Sequence, residues 1–120
     1  MLNLDTNIVI AGLAGSLTDR EQELLENTSI AISDIVLWEI SELIQLKRIS
    51  LDLESAEFRR FLARSTVFPI TLQIAKQSTQ LDFKSDPADE IIAATSVVEN
   101  IPLLTRDGKI LKSKVVPFAL

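Results

Sequence analysis

The chain has 120 residues, 47% of them hydrophobic and 24% charged, enough for a cored globular domain and too apolar for disorder. It contains no cysteine and no histidine, which removes disulfides, thiolate zinc sites, thiol nucleophiles and the Ser-His-Asp and Cys-His arrangements. The net charge of −5 argues against a nucleic-acid partner unless cations neutralise the acids. It also suits a solvated acidic surface or a basic protein partner. No apolar run approaches the roughly 18–20 residues of a membrane helix, and the N-terminus lacks the basic flank of a secretory signal. No membrane attachment and a cytoplasmic location are therefore expected.

In chain order, residues 2–5 read as a short buried strand, with Thr6 or Asn7 capping a helix to about Leu13. Gly12 and Gly15 punctuate, and Thr18 caps a helix over 19–26. A second strand follows at 28–32. Ser33 or Asp34 then caps a longer helix to about Lys47, with basic residues in its last turn, where the helix dipole prefers them. Asp52 is expected to start a helix through about Arg64. Residues 67–70 form a third strand, and Thr71 caps a helix to about Leu81. Asp86-Pro87 opens another helix, proline in its first turn, ending near Asn100. A fourth strand lies at 102–105 and a possible fifth at 114–117. No repeat, linker or low-complexity segment interrupts residues 1–120, so one domain is expected. Strands alternating with helices predict an α/β fold with a central parallel sheet of about four or five strands, covered on both faces.

Four acids stand against apolar segments: Asp5 after Leu2-Asn3-Leu4, Glu39 inside Ile35-Val36-Leu37-Trp38-Glu39-Ile40, Asp89 before Ile91-Ile92-Ala93-Ala94, and Asp107 after Leu103-Leu104-Thr105. An ionised carboxylate against a core needs compensation. Without His or Cys, a natural compensator is a hard cation such as Mg²⁺ or Mn²⁺. Ligands of open α/β sheets gather beyond the strands' carboxyl ends, where Asp5 and Asp107 fall; a helix start after a strand, as at Asp89, faces the same edge.

Each acid also has a blander reading. Asp5 can cap the next helix, although Thr6 and Asn7 offer themselves for that. Glu39, flanked at i±4 by Ile35 and Leu43, can pair with a base such as Arg106. Asp86, immediately before Pro87, reads as a cap; Asp89 can be the carboxylate of a capping box. Asp107-Gly108 is a turn dipeptide, and Thr105 beside it can donate to a neighbouring carboxylate.

Leu4-Asp5-Thr6-Asn7, then Ser33 and Trp38-Glu39-Ile40, then Asp86-Pro87-Ala88-Asp89 with Ile92-Ala93-Ala94-Thr95, then Leu103-Leu104-Thr105-Arg106-Asp107 resemble the PIN-domain family. More narrowly they resemble the VapC-type ribonuclease toxins of bacterial toxin–antitoxin pairs. The resemblance runs over essentially the whole chain, with the four motifs in the family's order. It implies a three-layer α/β/α fold and an endoribonuclease dependent on Mg²⁺ or Mn²⁺. Asp5, Glu39, Asp89 and Asp107 match the family's catalytic, metal-binding acids, the last the most variable of them. Thr6, Asn7 and Thr105 match positions that support those carboxylates. The resemblance further implies an RNA substrate, a homodimer and a cognate antitoxin that covers the acidic site. One departure is Glu90, where close relatives usually carry arginine after the helix-opening aspartate; Arg106 is a candidate replacement for that charge.

The chemistry expected of such a site is hydrolysis by a metal-activated water, leaving a 5′-phosphate and a 3′-hydroxyl. Asp5 and Asp89 are the expected principal ligands. Lys47, Arg48, Arg59, Arg60, Arg64, Lys109, Lys112 and Lys114 are available for phosphate. Two readings compete: a catalytically silent PIN scaffold that only binds RNA or protein, and a phosphoacceptor signalling domain. The second calls for paired acids after the first strand, where this chain has Thr6-Asn7.

Overall fold

A computed structural model describes residues 1–120. Its elements are β1 (Leu2–Leu4), α1 (Thr6–Ala14), α2 (Asp19–Asn27), β2 (Ile30–Ser33), α3 (Ile35–Gln45), α4 (Ala56–Arg64), β3 (Thr66–Phe68), α5 (Leu72–Ser78), α6 (Pro87–Glu99), β4 (Leu103–Leu104) and α7 (Gly108–Leu111). The four strands form one sheet in the order β3-β2-β1-β4, all parallel, with Asn3 opposite both Ala31 and Leu103. The expected α/β architecture with its parallel sheet is therefore observed.

Strands with neighbours on both faces read as continuous apolar runs, and every residue of β1, β2 and β4 is buried. Leu4 and Ile30 on one face meet α1, α2 and α4 around a cavity of about 250 Å³ lined by Ile8, Val9, Leu25 and Phe61. Asn3, pointing to the other face by strand alternation, meets α6. Helices α3 and α5 pack on α6 in turn. The result is a three-layer sandwich. Its chain runs from β1 outward through β2 to β3, then returns to place β4 on the far side of β1. The reversal between β1 and β4 is the kind of crevice where such sheets bind ligands.

Several boundaries differ from expectation for local reasons. Helix α4 starts at Ala56 because the Asp52 carboxylate accepts from Glu54 N (2.9 Å), a turn that holds 52–54 out of the helix, and Ser55 supplies the cap by accepting from Phe58 N (3.1 Å). Helix α3 stops at Gln45, so Lys47 and Arg48 lie beyond it, with Lys47 at φ 59. Helix α5 stops at Ser78, where the Ser78 and Thr79 hydroxyls donate to the carbonyls of Ala75 and Lys76. The possible fifth strand shrinks to one bridge between Leu103 and Phe118: Pro117 lacks the N–H that a ladder requires. Thr18 caps α2 as expected, in a full capping box with Glu21.

Candidate active site

The four acids come from separated segments and are brought to the carboxyl edge of the sheet at the β1/β4 reversal. Asp5 directly follows β1 and is 3% exposed. Its backbone is extended (φ −68, ψ 154), and Oδ1 accepts from Thr6 N at 2.8 Å, so Asp5 itself caps α1 in place of Thr6 or Asn7. Its other oxygen takes no part in the cap: Oδ2 accepts from Thr105 Oγ1 at 2.6 Å, across the β1/β4 boundary. The Thr105 hydroxyl also accepts from Asp107 N (3.0 Å), tying the loop after β4 to Asp5.

Glu39 projects from the second turn of α3, where Ile40 turns into the core and Trp38 stays 57% exposed. Thr6 Oγ1 donates to Glu39 Oε1. The alternative ion pair with Arg106 does not form. Arg106 instead engages Glu21 through Nε (2.9 Å) and Nη2 (2.6 Å), and Nη2 also donates to Ser16 O. Arg106 is thus committed to the α1–α2 corner and does not replace the arginine absent at Glu90.

Asp89 sits in the first turn of α6, its Oδ2 accepting from Ser85 Oγ at 2.8 Å. It therefore serves in no capping box. Asp86 holds the N-cap backbone position but makes no side-chain cap bond. Asp107 caps the one-turn helix α7, accepting from Lys109 N at 2.9 Å. Asn7 is exposed and, with Ser16, Arg106 and Asp107, lines a shallow cleft beside the acids; it makes no hydrogen bond to them.

The electrostatics show how closely these groups converge. Burial pushes the Asp5 carboxyl above the usual range; the bonds from Thr105 and Thr6 oppose this, and the charges of Asp89 and Asp107 add to it. Burial likewise raises Glu39 against the Thr6 bond, with Asp89, Asp5 and Asp86 contributing repulsion. Asp89 is raised by burial, held back by Ser85, and raised further by Asp107 and Asp86, while Lys109 lowers it. Asp5, Glu39, Asp89 and Asp107 thus share one field, joined by Asp86, whose place before Pro87 signals only a cap.

All the candidate donors are hard carboxylate and hydroxyl oxygens, the chemistry that Mg²⁺ and Mn²⁺ take. A cation would also relieve the repulsion that raises Asp5, Glu39 and Asp89. In donor type the residues fit such an ion. No three acids surround one point closely enough to hold an ion as the side chains now lie; Thr6, Thr105 and Ser85 hold three of the carboxylates in hydrogen bonds.

Thr105→Val removes the donor to Asp5 and the acceptor of Asp107 N together, leaving a buried carboxylate short of a partner. It should cost about 1–3 kcal/mol in denaturant unfolding. Thr105→Ser keeps both bonds and should lose much less; equal losses would show that the hydroxyl does not matter. Two contributors carry little signal in the sequence. Ser85 lies one turn before Asp89, a spacing that could have flagged it. The Glu21–Arg106 pair spans 85 positions and leaves no local signal.

Solved structures share this fold. A chain of a toxin–antitoxin complex from Klebsiella pneumoniae is 26% identical, with a TM-score of 0.71 over 93% of this chain and 91% of that one. VapBC2 from Rickettsia felis, bound to a DNA fragment from its promoter, is 22% identical with a TM-score of 0.76, covering 98% and 97%. FitAcB from Neisseria gonorrhoeae is 23% identical with a TM-score of 0.69, covering 98% and 96%. No curated protein matches the chain. The PIN domain family model matches residues 3–114, nearly the whole length and a span that contains all four acids. The chain belongs to the PIN domain family.

Proposed function

We propose that this protein is a divalent-metal-dependent endoribonuclease of the VapC type and the toxin of a toxin–antitoxin pair. The observation that carries the reading is the gathering of Asp5, Glu39, Asp89 and Asp107 into one field at the β1/β4 edge, in a PIN domain that has no His or Cys for other chemistry. Membership of the toxin–antitoxin class is supported by the Klebsiella pneumoniae complex and by the VapBC and FitAcB folds.

Asp5 and Asp89 are the principal candidates to hold Mg²⁺ or Mn²⁺, with Glu39 and Asp107 completing the site. Such an ion, when bound, supplies Lewis-acid polarisation of a phosphodiester and a water acidic enough to attack near neutral pH. The chain's own residues orient the rest. Thr105 and Thr6 N–H fix both Asp5 oxygens, Thr6 Oγ1 fixes one oxygen of Glu39, and Ser85 fixes one of Asp89. Lys109, whose charge reaches Asp89, is a candidate to meet an RNA phosphate and offset the net negative charge.

An antitoxin that covers the acids is the expected partner. A second copy is the other, supported by the exposure of Trp38 (57%) and Leu72 (74%). No helix is long and apolar enough to cross a membrane. A silent RNA- or protein-binding scaffold on the same fold is the alternative. Incubation of the purified protein with RNA and Mn²⁺ separates the two. The nuclease reading expects fragments with 5′-phosphate ends; RNA bound but uncut across a Mn²⁺ series would favour the scaffold.

A further inference from the structure

The middle residue of the central strand β1 is polar where its neighbours Leu2 and Leu4 are apolar, and it is fully buried. Asn3 Nδ2 donates to Ile92 O at 3.0 Å and to Ser96 Oγ at 2.9 Å. Both acceptors lie on α6, one and two turns beyond Asp89. Its Oδ1 has no partner. An apolar side chain of similar size would leave no orphan oxygen, so the amide is a poor choice for stability alone. The amide cannot simply be turned over, because its oxygen would then face the Ile92 carbonyl.

These are the only side-chain hydrogen bonds that join α6 to the sheet. The remaining contact surface consists of Ile92, Ala93 and other apolar groups, which exert no directional hold along the helix axis. Two hydrogen bonds from a single amide do fix that axial position. The fixed helix carries Asp89 in its first turn; the fixing strand carries Asp5 two residues after Asn3. We propose that Asn3, with Ser96, is a positioning residue that sets the reach between Asp5 and Asp89 and so tunes the affinity of the site for a divalent cation. This rests on the functional reading above.

The test uses full-length protein and Mn²⁺ alone as the probe, read by calorimetry, together with thermal unfolding in EDTA. Asn3→Leu should unfold in EDTA no earlier than the parent, yet bind Mn²⁺ about tenfold more weakly, as is usual when a group that orients a metal ligand is lost. Ser96→Ala, which removes one of the two bonds without crowding the core, should lie between the two and decides the matter if Asn3→Leu does not fold. Parent-like Mn²⁺ affinity in the folded variants would overturn the positioning role and leave the functional reading intact. A parent protein that bound no Mn²⁺ would overturn the reading itself, and Asn3 with it.

Discussion

Asp89→Asn should lose RNA cleavage by roughly a thousandfold while gaining stability in the absence of metal. The loss follows from the worth of metal-stabilised charge in phosphoryl chemistry, several kcal/mol, with each 1.4 kcal/mol a factor of ten in rate. The gain follows from the site's electrostatics. Burial, Asp107 and Asp86 all disfavour the Asp89 carboxylate, so a neutral amide that can still accept from Ser85 relieves the folded state. Asp5→Asn should behave alike in activity, although its amide keeps one acceptor oxygen where the carboxylate accepts from both Thr6 N and Thr105 Oγ1. Steady-state cleavage and a melt in EDTA check both halves. A variant that kept parental activity would remove Asp89 from the site; one that lost activity by failing to fold would leave its role unproven, which is why the melt belongs to the same experiment.

The second large effect concerns the corner that holds the Asp107 loop. Glu21→Gln should lower stability by about 2 kcal/mol at neutral pH, the scale of charged hydrogen bonds reduced for the partial exposure of Arg106. The Arg106 guanidinium draws the Glu21 carboxyl down to about 2, helped by the Thr18 cap. A depressed folded value means stability that is present above the ordinary glutamate range and is lost as the pH falls from about 4.5 toward 2. The site acids act with the opposite sign. Asp5, Glu39 and Asp89 are raised, so the metal-free fold gains stability as the pH drops toward their raised values and loses it as they ionise.

Metal-free protein should therefore be most stable on the acid side of neutrality, above the range where Glu21 protonates. Asp89→Asn should flatten the alkaline side of that profile, and Glu21→Gln the acid side. Denaturant midpoints taken across pH 2 to 9 would show it, and an acid side unchanged by Glu21→Gln would refute the assignment.

The alternation of apolar strands with capped helices was enough to read the architecture, because strands buried on both faces leave continuous apolar runs such as 30–32 and 103–104. Two misreadings have plain physical causes. Asp52 looks like a helix cap but spends its carboxylate on Glu54 N; the last strand fails at Pro117. The acids were legible as candidates because each interrupts or bounds an apolar segment. Their supports were less so. Asn3 sits in a strand where sequence alone does not say which helix it faces, and Arg106 chooses Glu21 over Glu39 only because the α1–α2 corner folds beside the end of β4. Strand order decides both, and one sequence does not encode it locally.

A single sample of the protein with RNA tests the metal-dependent cleavage most directly. Cleavage should proceed in Mn²⁺, stop in excess EDTA, and resume when Mn²⁺ is restored beyond the chelator. Cleavage undiminished in excess EDTA would contradict it.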